Sequence, residues 1–269
     1  MEAIQHREKL VPLEFKAYTI LKDGTQDLSH FNIETNKPIS SGVVVNYKGL
    51  DGNLPETYKN SIALWSGLLP NKQRKPIKRV NIKNDDQAGD VWIEYGFQQS
   101  YYSLTYQVGA SLRTMCALAQ LDLTSNTLTP VQGVRVNKNR ASVNMPEFID
   151  MDKGTGAELK DVEIPTYVEL KIKELTATSI KVFYSTLPGY LPAKYKNWIG
   201  VWQGYASPYN APDPMGSENI LQDFTQGTVL LGNVSFSKYL TYTLIYFTGA
   251  DRANAASLMY FDTGGEVRH

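Results

Sequence analysis

Two segments of this chain match without a gap at an offset of 137 residues. Residues 45–67 and 182–204 share 12 identical positions out of 23, including Tyr58-Lys-Asn with Tyr195-Lys-Asn, and Trp65 with Trp202. Unrelated segments share about one or two such positions at average residue usage. A second block follows at an offset of 140. There Tyr102-x-Leu104-x-Tyr106-x-x-Gly109-Ala110 matches Tyr242-x-Leu244-x-Tyr246-x-x-Gly249-Ala250. The same blocks in the same order imply one structural unit used twice in tandem. The expected division is a first repeat over 1–123, a last strand and linker over 124–157, and a second repeat over 158–269. The middle stretch is set apart by its Asn, Thr, Ser, Pro and Gly.

The repeated unit reads as strands. Leu170-Lys-Ile-Lys-Glu-Leu and Ile180-Lys-Val-Phe-Tyr184 alternate apolar and polar residues, the period of a half-buried strand. Val43, Val45 and Tyr47 take the places of Ile180, Val182 and Tyr184. No window longer than about ten residues carries a helical stripe without Gly or Pro. Short strands with Gly, Pro and Asn punctuation predict an all-β fold, two tandem β-sandwiches related by internal duplication.

Three features resemble the immunoglobulin-like and fibronectin-III-like superfamily. Residues 170–184 look like its first two strands, with Tyr184 at the usual Trp position. Tyr102-x-Leu-x-Tyr and Tyr242-x-Leu-x-Tyr are similar to its F strand, so Tyr102 and Tyr242 are expected at tyrosine corners, bonded to the preceding loop. Asn197-Trp-Ile-Gly-Val-Trp202 resembles the signature strand of SKICH-type domains; after the shared Asn, the first repeat keeps only Ile62 and Trp65 of it. Trp65 and Trp202 are expected in the core, whereas Trp92 and Trp198 lack Trp counterparts and are candidate surface residues.

Lys+Arg and Asp+Glu number 27 each. A balanced charge gives no electrostatic case for nucleic acid or an anionic membrane, and it tolerates self-association. The charged first residues lack an apolar signal region, and no apolar run is long enough for a transmembrane helix. A cytoplasmic protein is the simplest expectation; a mature secreted form would read the same. The single cysteine, Cys116, lies in an apolar run and is expected to be buried and inert.

No catalytic constellation is legible, and the chain is expected not to be an enzyme. There is no Gly-x-Ser-x-Gly elbow and no phosphate-cradling glycine loop. His6, His30 and His269 are scattered, which argues against a nucleophile–base pair and, with one cysteine, against zinc. No metal or other cofactor is assigned. The acidic segments 84–90 and 150–158 leave calcium open, although the second fails the EF-hand pattern at Gly154 and Thr155.

The two repeats differ most in the loop after the shared Trp strand. The first carries Lys72, Arg74, Lys75, Lys78 and Arg79 within nine residues, a candidate site for an anion or acidic partner, or else a solvated loop. The second, from Tyr205 to Glu218, has no Lys or Arg. Its Tyr205, Tyr209 and Asp213, together with Trp198 and Trp92, are candidate ligand-binding residues; packing on its own domain is the alternative. Variable loops on a rigid frame are where recognition sites are mounted. The leading expectation is a non-catalytic binding protein for a glycan or protein surface. A self-assembling structural protein, forming homo-oligomers through loops of opposite charge, and a toxin-type protein acting on a host surface are the alternatives.

Overall fold

The computed structural model describes residues 28–70, 75–123, 134–136 and 162–263. Its regular elements are antiparallel strands and two short 3-10 turns. No described helix is long and apolar enough to cross a membrane. In the first unit, β2 (Asn32–Thr35), β3 (Gly42–Lys48) and β6 (Ala88–Glu94) form one sheet, in the order β2-β3-β6. The second sheet has the order β5-β4-β7-β8, built from β4 (Ser61–Ser66), β5 (Lys78–Asn81), β7 (Tyr101–Gln107) and β8 (Met115–Asp122). The second unit has the same plan. Its smaller sheet is β11 (Glu169–Leu175), β12 (Ser179–Ser185) and β15 (Gln226–Gly232). Its larger sheet contains β13 (Trp198–Gln203), β14 (Gly216–Asn219), β16 (Thr241–Phe247) and β17 (Ala255–Asp262).

Strand alternation decides which side chains enter each sandwich. Val43, Val45 and Tyr47 point inward from β3, as do Ile180, Val182 and Tyr184 from β12. They meet Leu104 and Tyr106, or Leu244 and Tyr246, from the facing sheet. Tyr47 and Tyr106 lie 6.0 Å apart, and Tyr184 and Tyr246 lie 5.9 Å apart. Both expected tyrosine corners are present. The Tyr102 hydroxyl accepts from the Gln98 and Gln99 amides, and the Tyr242 hydroxyl from the Ser237 amide, all at 2.8 Å. Trp65 and Trp202 are buried as expected.

The matched Leu-Pro-x-x-Tyr-Lys-Asn sequence builds the same turn twice. Asn60 N–H closes on Pro55 C=O at 2.7 Å, and Asn197 N–H on Pro192 C=O at 2.9 Å. Lys59 and Lys196 complete it in the left-handed region, φ 59° and 58°, a conformation costing a non-glycine residue about 1–2 kcal/mol. The asparagine that follows is buried in both units. Asn60 donates to the Tyr106 hydroxyl at 3.0 Å, while Asn197 accepts from the Tyr246 hydroxyl at 2.9 Å. Asp85 and Asp223 cap the turns by accepting from the Thr57 and Lys194 amides, each at 2.9 Å. The two hydrogen bonds from Thr57 hold the Asp85 carboxyl below its usual range.

Two observations bear on the order of the strands. Among the described residues, the strand of the first sandwich nearest its C-terminal end is β8, which supplies the inward Cys116 and Leu121, and most of 124–157 lies outside the described residues. Within 124–157 the described strand is β9 (Val134–Val136), which pairs with β10 (Val162–Ile164) and joins neither sandwich. The other observation concerns β1 (Leu28–His30). It precedes the first sandwich in sequence but extends the second, pairing with β17 as Leu28↔Met259, Ser29↔Leu258 and His30↔Ser257.

The converse contact is also made. Tyr167, at the start of the second unit, bridges Ala117 on β8, and the Leu118 amide donates to the Thr166 carbonyl at 2.7 Å. Each unit thus covers the outer edge of the other's last strand. His30 and Tyr167 correspond at the offset of 137, and their rings stack on each other at 3.7 Å. Further contacts widen the junction. Leu187 packs on Leu118, the Tyr190 hydroxyl shares its proton between the Arg113 and Thr248 carbonyls, and Tyr58 stacks on Tyr209. Buried side chains of both units form one continuous core.

Burial pushes the Cys116 thiol well above its ordinary value of 9.0, and the Tyr190, Tyr209 and Tyr246 phenols well above 10.0. These groups keep their protons in the fold and release them only in the unfolded chain. Their contribution is therefore complete until about one pH unit below the unfolded values and is lost as pH rises through them, first for Cys116 and then for the tyrosines. Each costs about 1.4 kcal/mol per pH unit beyond that point. Urea midpoints measured across pH are expected to be insensitive to these four groups up to about pH 8 and to fall steeply above about 10, less steeply in Cys116→Ala.

Candidate functional site

The basic run separates into distinct roles. Lys72 and Arg74 lie outside the described residues, and Lys75 is exposed. Lys78 donates to the Glu94 carbonyl at 2.8 Å and pairs with its carboxylate at 3.6 Å. Arg79 turns back onto its own sheet. Its Nε donates to Ser61 Oγ at 2.8 Å and its Nη2 to the Gly109 carbonyl at 3.3 Å, and burial lowers its pKa. Ser61 continues the chain to Gln107 Oε1 at 3.1 Å, and Thr105 Oγ1 accepts from the Trp65 indole at 2.8 Å. Arg79 thus closes a buried polar layer of the first unit.

The aromatic loop of the second unit is pinned down. The Pro212 carbonyl accepts from the Trp202 indole at 2.8 Å and from Arg252 at 3.0 Å, and Arg252 also reaches the Asp213 carboxylate at 2.9 Å. Tyr209 is turned inward, with one ring face on Tyr58. Tyr205 remains 64% exposed, edge-on to Tyr260. Trp92 is 43% exposed on β6; a Cβ at Gly42 would come within 2.6 Å of its indole, so a side chain there would displace the ring. Among the acidic residues at 84–90, Asp85 is engaged by Thr57, and no group of three or more metal-ligating side chains occurs among the described residues. The segment 150–158 lies outside them.

The remaining candidate, Trp198, borders a groove of about 710 Å³. Its ring stacks on Phe247 at 4.0 Å, and its Nε1 donates to the Gly249 carbonyl at 3.0 Å. Gly200 seats it: a Cβ there would lie 2.5 Å from Trp202 and 2.9 Å from Trp198. The groove is completed by Ser217 and Asn219 of β14, by Ile220 and Leu221 beyond it, and by Lys196 and Arg252. No catalytic pair converges on it; the arrangement can bind, through an indole, aliphatic groups, amide and hydroxyl donors and two cations.

The first unit is a built-in comparison. The β-pairings equate Trp198 with Ser61 and Ser217 with Arg79. The Gly109 carbonyl, held by Arg79, corresponds to the Gly249 carbonyl, held by Trp198. Where the first unit lays a guanidinium across its sheet end, the second has an indole beside a serine and leaves a groove. Sequence reading selected Trp198 by its missing counterpart. It missed Leu221, Lys196 and Arg252, although Leu221 stands where the first repeat has Lys83, a visible signal. No protein-family model matches the chain, and no curated protein matches it.

Arg79→Ala is expected to lower unfolding free energy by about 1–3 kcal/mol, because it strands the Gly109 carbonyl and Ser61. Lys75→Ala is expected to change it by less than about 0.5 kcal/mol. Chemical denaturation of the two variants checks the distinction.

Proposed function

We propose that this chain is a non-catalytic binding protein, and that its ligand, a glycan or protein surface, docks at the groove beside Trp198. One observation carries the reading. At matching positions, the first unit holds the Gly109 carbonyl with Arg79, whereas the second holds the Gly249 carbonyl with Trp198, which borders a groove together with Ser217. Exposed apolar side chains at a pocket favour recognition. Leu221, 80% exposed, lines the groove.

A self-assembling role is the second reading. The outermost strands of the two larger sheets carry opposite charge, Lys78 and Arg79 on β5 and Glu218 on β14. The pairing of Lys78 with Glu94 and the inward turn of Arg79 reduce what β5 offers a neighbour.

Glycan and peptide arrays probed with the wild type, with Trp198→Ser and with Trp92→Ser test the proposal. A ligand is expected that weakens at least about tenfold with Trp198→Ser and is unaffected by Trp92→Ser. A ligand retained equally by Trp198→Ser, or silence on both arrays, would overturn it.

A further inference from the structure

We infer that the groove takes an extended polypeptide carrying an acidic residue, added as a new strand along the outer edge of β14. This rests on the binding reading above and adds the class of ligand. β14 is the last strand of its sheet, and Ser217, Glu218 and Asn219 are exposed. An uncovered edge is a row of backbone donors and acceptors that templates another strand. The opposite edge of the same sheet shows the mode at work, since β17 there accepts the three residues of β1 from a remote part of the chain.

The two outer strands are guarded differently. β5 reads Lys-Arg-Val-Asn, and two adjacent cations discourage strand addition. β14 reads Gly-Ser-Glu-Asn, with small or short side chains and one charge. The residues that follow diverge in the same sense. Ile82 and Ile220 correspond, because their amides donate to the equivalent Asn60 and Asn197 carbonyls at 3.0 and 2.9 Å. The capping residues Asp85 and Asp223 also correspond. Between and after these anchors, Lys83 and Asp86 of the first unit are replaced by Leu221 and Phe224.

Side chains of an added strand alternate, so every second one faces the groove. There they meet Trp198, Ile220 and Leu221. The charged lining consists of Lys196 and Arg252, with no carboxylate among the lining residues. Arg252 is fixed by Asp213 and by the Ala211 and Pro212 carbonyls. Lys196 sits on the rigid left-handed turn. Arg252 is already paired with Asp213, so an acidic side chain next to the apolar ones complements Lys196.

The test uses random peptides displayed on phage, selected against the full chain. Enriched sequences are expected to place apolar residues at alternate positions with an Asp or Glu beside them. Binding by a synthetic selected peptide should perturb the amides of Gly216–Asn219 and weaken at least about tenfold when its alternate backbone nitrogens on one edge are methylated. Leu221→Lys, an exposed change that leaves the core intact, should weaken it similarly. Lys196→Glu should weaken an acidic peptide and favour its Lys-substituted version. Selected peptides indifferent to N-methylation, or perturbing amides away from β14, overturn the inference. A glycan that binds and is lost in Trp198→Ser, with no peptide enriched, overturns it while leaving the groove reading intact. Failure of both ligand classes overturns both.

Discussion

The outer edge of an antiparallel sheet presents unpaired N–H and C=O groups that must be covered, guarded or left to another chain. This protein covers two of its edges reciprocally. β1 lies on β17, and the strand entry at Thr166 and Tyr167 lies on β8. The rest of the arrangement depends on that exchange. It stacks His30 on Tyr167, seats Leu187 against Leu118, and merges two apolar cores into one. Two sandwiches joined only through a connecting segment would be free to separate; two that finish each other's sheets are not.

Within this frame the two units differ in what occupies matching positions. The carbonyl of Gly109 is bonded by Arg79, and that of Gly249 by Trp198. Both satisfy the same backbone acceptor, but a guanidinium lies across the sheet end in one unit and an indole borders a groove in the other. One unit turns Arg79 of β5 onto its own structure, and the second leaves Leu221 and Phe224 exposed.

The fold was legible because period-two alternation and repeated Trp and Tyr positions report burial directly. Val43, Val45, Tyr47 and their counterparts are inward, Trp65 and Trp202 are in the core, and Tyr102 and Tyr242 sit at their corners. The placement of β1 was not legible. Leu28–His30 is too short for a periodic signal, and its partner on β17 lies more than two hundred residues away. The site was legible in part. A missing counterpart marked Trp198, but Tyr209 and Asp213 look the same in sequence whether a loop projects or folds back. Only the carbonyls of Ala211 and Pro212, held by Arg252, decide that it folds back. Charge density in the basic run likewise hid the inward turn of Arg79.

The central claim, that reciprocal edge pairing makes the two units one cooperative body, is tested most directly by amide hydrogen exchange. Leu104 in β7 and Leu244 in β16 are fully buried strand residues, one in each unit. Their amides are expected to exchange with the same opening free energy, that of global unfolding. Ser29→Pro, which disrupts the β1 pairing on β17, should lower both by the same amount. Distinct opening free energies in the native protein, or a loss confined to Leu244, would contradict the account.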